Sequence, residues 1–232
     1  MTPALLSQVM AATWPAAAQR RLGPFTLRDG AGGGKRVSAA SCDAPDWTDS
    51  DLDRALAAMD PALMLVRATE ERLDQALADR GLRIVDPVLA YAAPVAAVKA
   101  DLPPLTAFPH WPPLQITRAI WQEGGIGPAR VQVMDRVAGP RAAILARRMD
   151  RPAGAAFVAL HGEEAMVHAV EVLPPCRRQG VGMSLVQAAA NWAADQGATR
   201  LSLVVTDRNA AARSLYERLG MQVVGQYHYR MK

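Results

Sequence analysis

Cysteine is nearly absent from this sequence, which contains only Cys42 and Cys176. Two thiols so far apart in the chain provide neither a disulfide framework nor a cysteine-based zinc site. We therefore expect a reduced, cytoplasmic protein that needs no metal. Hydrophobic residues make up 50% of the 232 positions, which is enough for the core of one large domain or two ordinary ones.

Long apolar runs are also missing. The main uncharged apolar stretch, residues 87–98, contains Pro94 and is too short to span a bilayer. The first 18 residues have no basic leader ahead of their apolar positions and do not resemble a signal peptide. The sequence therefore predicts no membrane partner.

Lysine is scarce, because Lys35, Lys99 and Lys232 are the only lysines among 26 basic residues. The arginines that supply the net charge of +4 are scattered among 22 acidic residues, whereas a nucleic-acid surface would cluster them. We expect no nucleic-acid partner, and we attribute the basic excess to solubility and to attraction for an anionic ligand.

Five prolines lie between Lys99 and Leu114, a density that neither a helix nor a central strand tolerates. This cluster predicts a linker at residues 99–113 between an N-terminal domain (1–98) and a C-terminal domain (114–232). Hydrophobic periodicity predicts mixed α and β structure on both sides of it.

A glycine-rich stretch at residues 30–34 lies between two predicted short strands, 24–28 and 35–40, and a hairpin is the simplest arrangement. Its glycine spacing does not match a nucleotide-binding P-loop. Arg36 also stands where a Ser or Thr must reach magnesium, so we exclude that kind of site.

A basic glycine turn lies between a predicted strand ending near residue 173 and a predicted helix at 181–196. Glycines allow backbone N–H groups to approach an anion, and the first helical turn adds unpaired N–H groups and a positive dipole end. The turn predicts a pyrophosphate site, with a solvated basic turn as the alternative. Its residues are Arg177, Arg178, Gln179, Gly180, Val181, Gly182, Met183 and Ser184.

The spacing Arg177-x-x-Gly180-x-Gly182 resembles the acetyl-CoA-binding signature of the GNAT family of N-acetyltransferases. Further on, Asn209-Ala-Ala-Ala-Arg-Ser-Leu-Tyr216-Glu-Arg-Leu-Gly220 is similar to the family's Asn…Ala…Leu-Tyr…Leu-Gly segment. The resemblance covers residues 114–232. It implies an α/β fold of the α+β kind, in which helices flank a mixed, mostly antiparallel sheet.

The resemblance also implies an activity: direct attack of a primary amine on acetyl-CoA through a tetrahedral intermediate. Backbone groups of Val170, Glu171 and Val172 would hold the pantetheine arm and the acetyl carbonyl. Tyr216 would protonate the departing thiolate and Asn209 would contact the cofactor arm. Core packing for Tyr216 and a helix cap for Asn209 are the alternatives.

The sequence offers three candidates for the general base. Glu171, at the strand end, is our first candidate, with a solvated strand-edge carboxylate as the alternative. His168 and Glu164 are weaker candidates. Some relatives that acetylate protein N-termini carry a glutamate at the position of Val204, which cannot serve here.

The N-terminal half, with Phe25-Thr-Leu-Arg-Asp-Gly and Lys35-Arg-Val-Ser-Ala-Ala, resembles the degenerate first half of tandem GNAT proteins. In such a pseudo-tandem it would shape the acceptor site without binding a cofactor, and an extension that only buries core surface is the alternative. A non-catalytic acyl-CoA-binding or sensor module is the alternative function. The acceptor amine, the acyl length and the oligomeric state are not defined by the sequence.

Overall fold

The computed structural model describes residues 1–232 as nine α-helices, one short 3₁₀ helix (Pro174–Cys176) and eleven strands. The helices are α1 (Pro3–Thr13), α2 (Lys35–Ser38), α3 (Asp49–Ala57), α4 (Glu71–Asp79), α5 (Val95–Val98), α6 (Gln115–Glu123), α7 (Pro128–Asp135), α8 (Val181–Asp195) and α9 (Ala210–Arg218). The strands are β1 (Ala18–Leu22), β2 (Phe25–Asp29), β3 (Ser41–Cys42), β4 (Leu63–Arg67), β5 (Arg83–Pro94), β6 (Ala107–His110), β7 (Arg141–Arg148), β8 (Arg151–His161), β9 (Glu164–Val172), β10 (Arg200–Thr206) and β11 (Gln222–Met231).

Eight strands form one sheet in the order β4-β11-β5-β10-β9-β8-β7-β6, and β1, β2 and β3 form a second, small sheet. Within the large sheet only β9 and β10 run parallel, because the chain crosses over between them through α8. All other neighbours are antiparallel. This mixed, mostly antiparallel sheet flanked by helices confirms the predicted fold class.

Both faces of the large sheet are covered, which explains the continuous apolar runs in β7 and β8. On one face, Leu185 of α8 packs in a buried cluster with Val167 and Leu203 of the two parallel strands. On the other face, Trp121 of α6 packs with Phe157 of β8. The parallel pair β9 and β10 therefore lies between two helical layers.

The predicted hairpin around the glycine-rich stretch is wrong. β2 pairs with β1, and residues 35–38 form α2 instead of a strand. The reason is close packing, because a Cβ on Gly33 would lie only 2.6 Å from Cγ2 of Val133 in α7. The glycine segment is thus pressed against α7 and leads directly into a short helix.

Several elements have no counterpart in the sequence prediction, namely α1, β1, β3, β5, α5 and β6. β6 lies inside the predicted linker and pairs with β7 as an edge strand. Pro109 is tolerated there, because the backbone N–H that proline lacks would point away from the sheet. β5 inserts between β10 and β11, so strands from both sides of the proline cluster share one sheet. The division into separate folding units at 99–113 stays a prediction.

None of the helices combines the length and the apolar character that a bilayer crossing requires.

Candidate active site

The turn ahead of α8 presents a row of free backbone donors. Gly180 has a left-handed conformation, with a φ of 82°, and α8 begins at the next residue. The N–H groups of residues 178–183 donate to no acceptor within the protein. Consecutive unpaired donors at a helix N-terminus fit an anion such as pyrophosphate.

Gly182, in the first turn of α8, lies close to α9 and to the end of β9. A Cβ at this position would lie 3.1 Å from Cδ2 of Leu215 and 3.8 Å from Cγ2 of Val172. A larger side chain would therefore fill the space beside the free donors. The predicted pyrophosphate residues, from Arg177 to Ser184, are brought together by this turn.

The arginines of the turn differ in their surroundings. Arg177 folds back, so that its Nε donates to the carbonyl oxygen of Val172 at 3.0 Å and its Nη2 to Oε1 of Glu171 at 3.2 Å. Arg178 is exposed and its side chain forms no ion pair or hydrogen bond. Arg148, at the end of β7, donates from Nε to Oε1 of Gln179 at 3.2 Å, a contact that no sequence pattern indicates.

β9 and β10 pair over only part of their length. Their parallel ladder runs from Glu164 opposite Arg200 to Val167 opposite Leu203, and beyond that point the two strands separate. A bulge at Ala169, whose φ is 52°, interrupts the pairing of β9 with β8 at the same level. The backbone of Val170 to Val172 therefore borders a gap in the sheet.

The segment from Asn209 to Gly220 places Tyr216 on α9 and Asn209 directly before it. Tyr216 is buried, with its ring 5.8 Å from that of Tyr91, and burial raises its pKa to about 12. Burial is the sole cause of this pKa shift, and no hydrogen bond joins the hydroxyl to a protein atom. Asn209 caps the helix, because its Oδ1 accepts from the backbone N–H of Ala212 at 3.1 Å.

Glu171 is half-buried at the end of β9. Besides its ion pair with Arg177, its side chain lies directly over Gly124, where a Cβ would come within 2.4 Å of the Glu171 carboxyl carbon. The carboxylate is thus held between the C-terminal end of α6 and the basic turn.

The two weaker base candidates lie in different surroundings. Glu164 is at the opposite end of β9 from the gap, where it pairs with Arg200 at 3.0 Å. His168 is at the gap but buried. Its Nδ1 lies 2.9 Å from Nη1 of Arg36 and its Nε2 lies 2.9 Å from Oγ1 of Thr13, so both ring nitrogens are occupied.

A cavity of about 230 Å³ opens at the gap between β9 and β10. His168 and Ala169 of β9 and Val204 to Thr206 of β10 line it. Its other walls are Trp14, directly after α1, Arg36 of α2 and Arg130 of α7, on the face of the sheet opposite α8. Trp14, Arg36 and Tyr227 also line a neighbouring, more apolar cavity of about 460 Å³.

Comparisons with known proteins agree on one family. The profile of the acetyltransferase (GNAT) family matches residues 111–221. "Uncharacterized N-acetyltransferase YobR" of Bacillus subtilis (strain 168) is 25% identical over 250 aligned residues, which cover 98% of this chain and 97% of the relative.

Solved structures share the fold. A GCN5-related N-acetyltransferase from Kribbella flavida has a TM-score of 0.73 at 20% identity, with 99% of this chain and 95% of that chain covered. A tandem GNAT protein from the clavulanic acid biosynthesis pathway has a TM-score of 0.61 at 13% identity and covers 90% of this chain and 77% of its own. The likeness extends over both halves of the chain.

Proposed function

Because the chain belongs to the GNAT family of acetyltransferases, we propose that it transfers an acetyl group from acetyl-CoA to a primary amine. The observation that carries the proposal is the row of unpaired N–H groups at residues 178–183. These donors, together with the positive end of the α8 dipole, suit the pyrophosphate of coenzyme A.

Bound acetyl-CoA supplies an acyl group activated as a thioester. In the proposed direct attack, the amine nitrogen bonds to the acyl carbon and the carbon–sulfur bond breaks. The amine gives up one proton and the departing thiolate takes one up. Val170 and Val172 have no partner residue in β10, although the Val172 carbonyl already accepts from Nε of Arg177. In this proposal their remaining backbone groups would hold the pantetheine arm and the acyl carbonyl.

The proton donor in this proposal is Tyr216. Its phenol stays protonated at neutral pH, because burial raises its pKa to about 12. Since its hydroxyl has no hydrogen bond to the protein, it is free to bond a departing sulfur. The amide NH₂ of Asn209, which bonds no protein atom, is available for the cofactor arm while Oδ1 caps α9.

The proposed base is Glu171. A neutral amine is the reactive form, so the attack needs a group that removes a proton. Glu171 is at the strand end beside the gap, whereas His168 has neither ring nitrogen free and Glu164 is at the far end of the strand. The ion pair with Arg177 orients the carboxylate.

Gly124→Ala tests this placement. We expect kcat to fall about tenfold, because the new Cβ must displace the Glu171 side chain and misaligned catalytic groups lose rate steeply. Gly127→Ala is the matched control, since a Cβ there would meet only Oε1 of Gln122 at an ordinary 3.4 Å. Steady-state kinetics measures both variants. Equal kcat values for the two would contradict Glu171 as the base.

Isothermal titration tests the cofactor. We expect micromolar affinity for acetyl-CoA and at least ~10-fold weaker binding of acetyl-pantetheine, which lacks the pyrophosphate and its charge-assisted hydrogen bonds. Thiol release from acetyl-CoA in the presence of a panel of primary amines then measures turnover. Absence of acetyl-CoA binding would overturn the proposal. Binding without thiol release for any amine would favour a non-catalytic acyl-CoA-binding module.

A further inference from the structure

The cavity at the β9–β10 gap is lined by more positive than negative charge. Lys35, Arg36 and Arg130 line it, against a single carboxylate, Asp86. That carboxylate is already engaged, because it lies 2.8 Å from Nζ of Lys35 and 3.5 Å from Nη2 of Arg208. Neither Arg36 nor Arg130 forms an ion pair, so two guanidinium groups face the cavity without a counter-charge.

Arg36 is held in place by a chain of hydrogen bonds. A guanidinium only donates, so Nδ1 of His168 accepts from Nη1 of Arg36 and the ring proton lies on Nε2. That proton is donated to Oγ1 of Thr13, whose hydroxyl donates to the carbonyl oxygen of Val9 at 2.7 Å. Burial and the nearby Arg36 keep the pKa of His168 well below its usual value, so the ring is neutral.

One hydrogen-bond donor of Arg36 is unpaired. Its Nε is buried and has no hydrogen-bond partner, and its guanidinium lies 5.8 Å from the ring of Trp14. A fixed and uncompensated guanidinium is the usual recognition group for a carboxylate. The guanidinium of Arg36 bonds His168 and therefore lies close to Ala169, at the gap between β9 and β10. An amine that attacks the acyl carbon would have to lie at this gap.

The larger neighbouring cavity adds an apolar compartment. Leu6, Met10, Trp14 and Leu65 line it, and no acidic side chain does. Arg28 and Arg67 also line it, but their guanidinium groups are engaged with Ser41 and Glu70. Arg36, Trp14 and Tyr227 form the boundary that it shares with the smaller cavity. A ligand with its amine at the gap and a carboxylate on Arg36 would therefore meet an apolar space beside it.

We propose that the acceptor is an α-amino acid with an apolar side chain, whose carboxylate binds Arg36 with support from Arg130. This inference rests on the proposed acyl transfer and names the acceptor class for it. The amino group acts as the attacking amine, and the product is an N-acyl amino acid that retains its carboxylate. A peptide N-terminus is disfavoured, because an amide stands where the carboxylate would be.

Product binding tests the inference independently of turnover. Titration with N-acetyl-L-leucine should give at least ~10-fold tighter binding than titration with N-acetyl-L-leucinamide, because only the acid can pair with the guanidinium. We expect Arg36→Gln to remove this preference and Arg130→Gln to reduce it. Arg21→Gln, an exposed arginine of β1 that lines neither cavity, should keep it.

Two outcomes would overturn the inference: equal affinity for the acid and the amide, or a preference that survives in an Arg36→Gln/Arg130→Gln double variant. The comparison of acid with amide uses the unaltered protein, so the test stays valid if an Arg36 variant does not fold. Thiol-release assays with leucine and with 3-methylbutylamine separate the two proposals. Equal rates for both amines would overturn the acceptor class and leave the acyl transfer standing. Absence of acetyl-CoA binding would overturn the acyl transfer and, with it, the role of the amino acid as its acceptor.

Discussion

Gly182→Trp is expected to weaken acetyl-CoA binding at least ~100-fold, equivalent to ~2.8 kcal/mol. Gly182 has only a narrow space between Leu215 and Val172, beside the N–H groups that would bond the pyrophosphate. An indole at this position fills that space, so the nucleotide end of the ligand can no longer reach the donors of α8. Isothermal titration of the variant with acetyl-CoA measures the loss.

The matched control is Asp195→Trp, which adds the same side chain to the exposed C-terminal end of the same helix. We expect this control to bind acetyl-CoA within about twofold of the unaltered protein, because surface substitutions away from a site have small effects. Circular dichroism of both variants establishes that α8 is still folded. Micromolar affinity in Gly182→Trp would show that the ligand does not use this turn.

The C-terminal half of the fold was predictable because its elements carry their own local signals. The apolar spacing of α8 is bounded by Gly180 and Gly197, and the apolar runs of β7 and β8 mark strands buried on both faces. The candidate anion site has the same local origin. It consists of one turn and the helix that follows, so consecutive residues are sufficient to indicate it.

The acceptor cavity could not be predicted, because its walls come from segments far apart in the chain. The sequence pattern places Arg36 in a strand, whereas packing of Gly33 on Val133 produces a helix that turns Arg36 toward His168. For His168, residue type alone suggests a base. Only the tertiary contacts with Arg36 and Thr13 show that neither ring nitrogen is free.

Tyr216→Phe is expected to lower kcat at least ~100-fold, the lower range for losing a general acid. The dissociation constant for acetyl-CoA should change by less than about twofold. The substitution leaves no protein group unpaired, because the Tyr216 hydroxyl hydrogen-bonds none, and the ring still packs against Tyr91. We therefore expect unchanged thermal stability. Steady-state kinetics, titration calorimetry and thermal unfolding measure the three quantities.

Tyr91→Phe is the control with the opposite outcome. The Tyr91 hydroxyl donates to Oε1 of Glu217 at 3.1 Å, so its loss should cost ~1 kcal/mol of stability and leave kcat unchanged.

The pH profile of kcat adds a second criterion for Tyr216. A pKa of about 12 keeps Tyr216 protonated as the pH rises past 10, the ordinary tyrosine value, so kcat should show no Tyr216-dependent decline below pH 10. The contrary result is a decline in kcat below pH 10 that disappears in Tyr216→Phe. It would mean that the phenol in the bound complex is more exposed to water than its burial against Tyr91 and α8 implies.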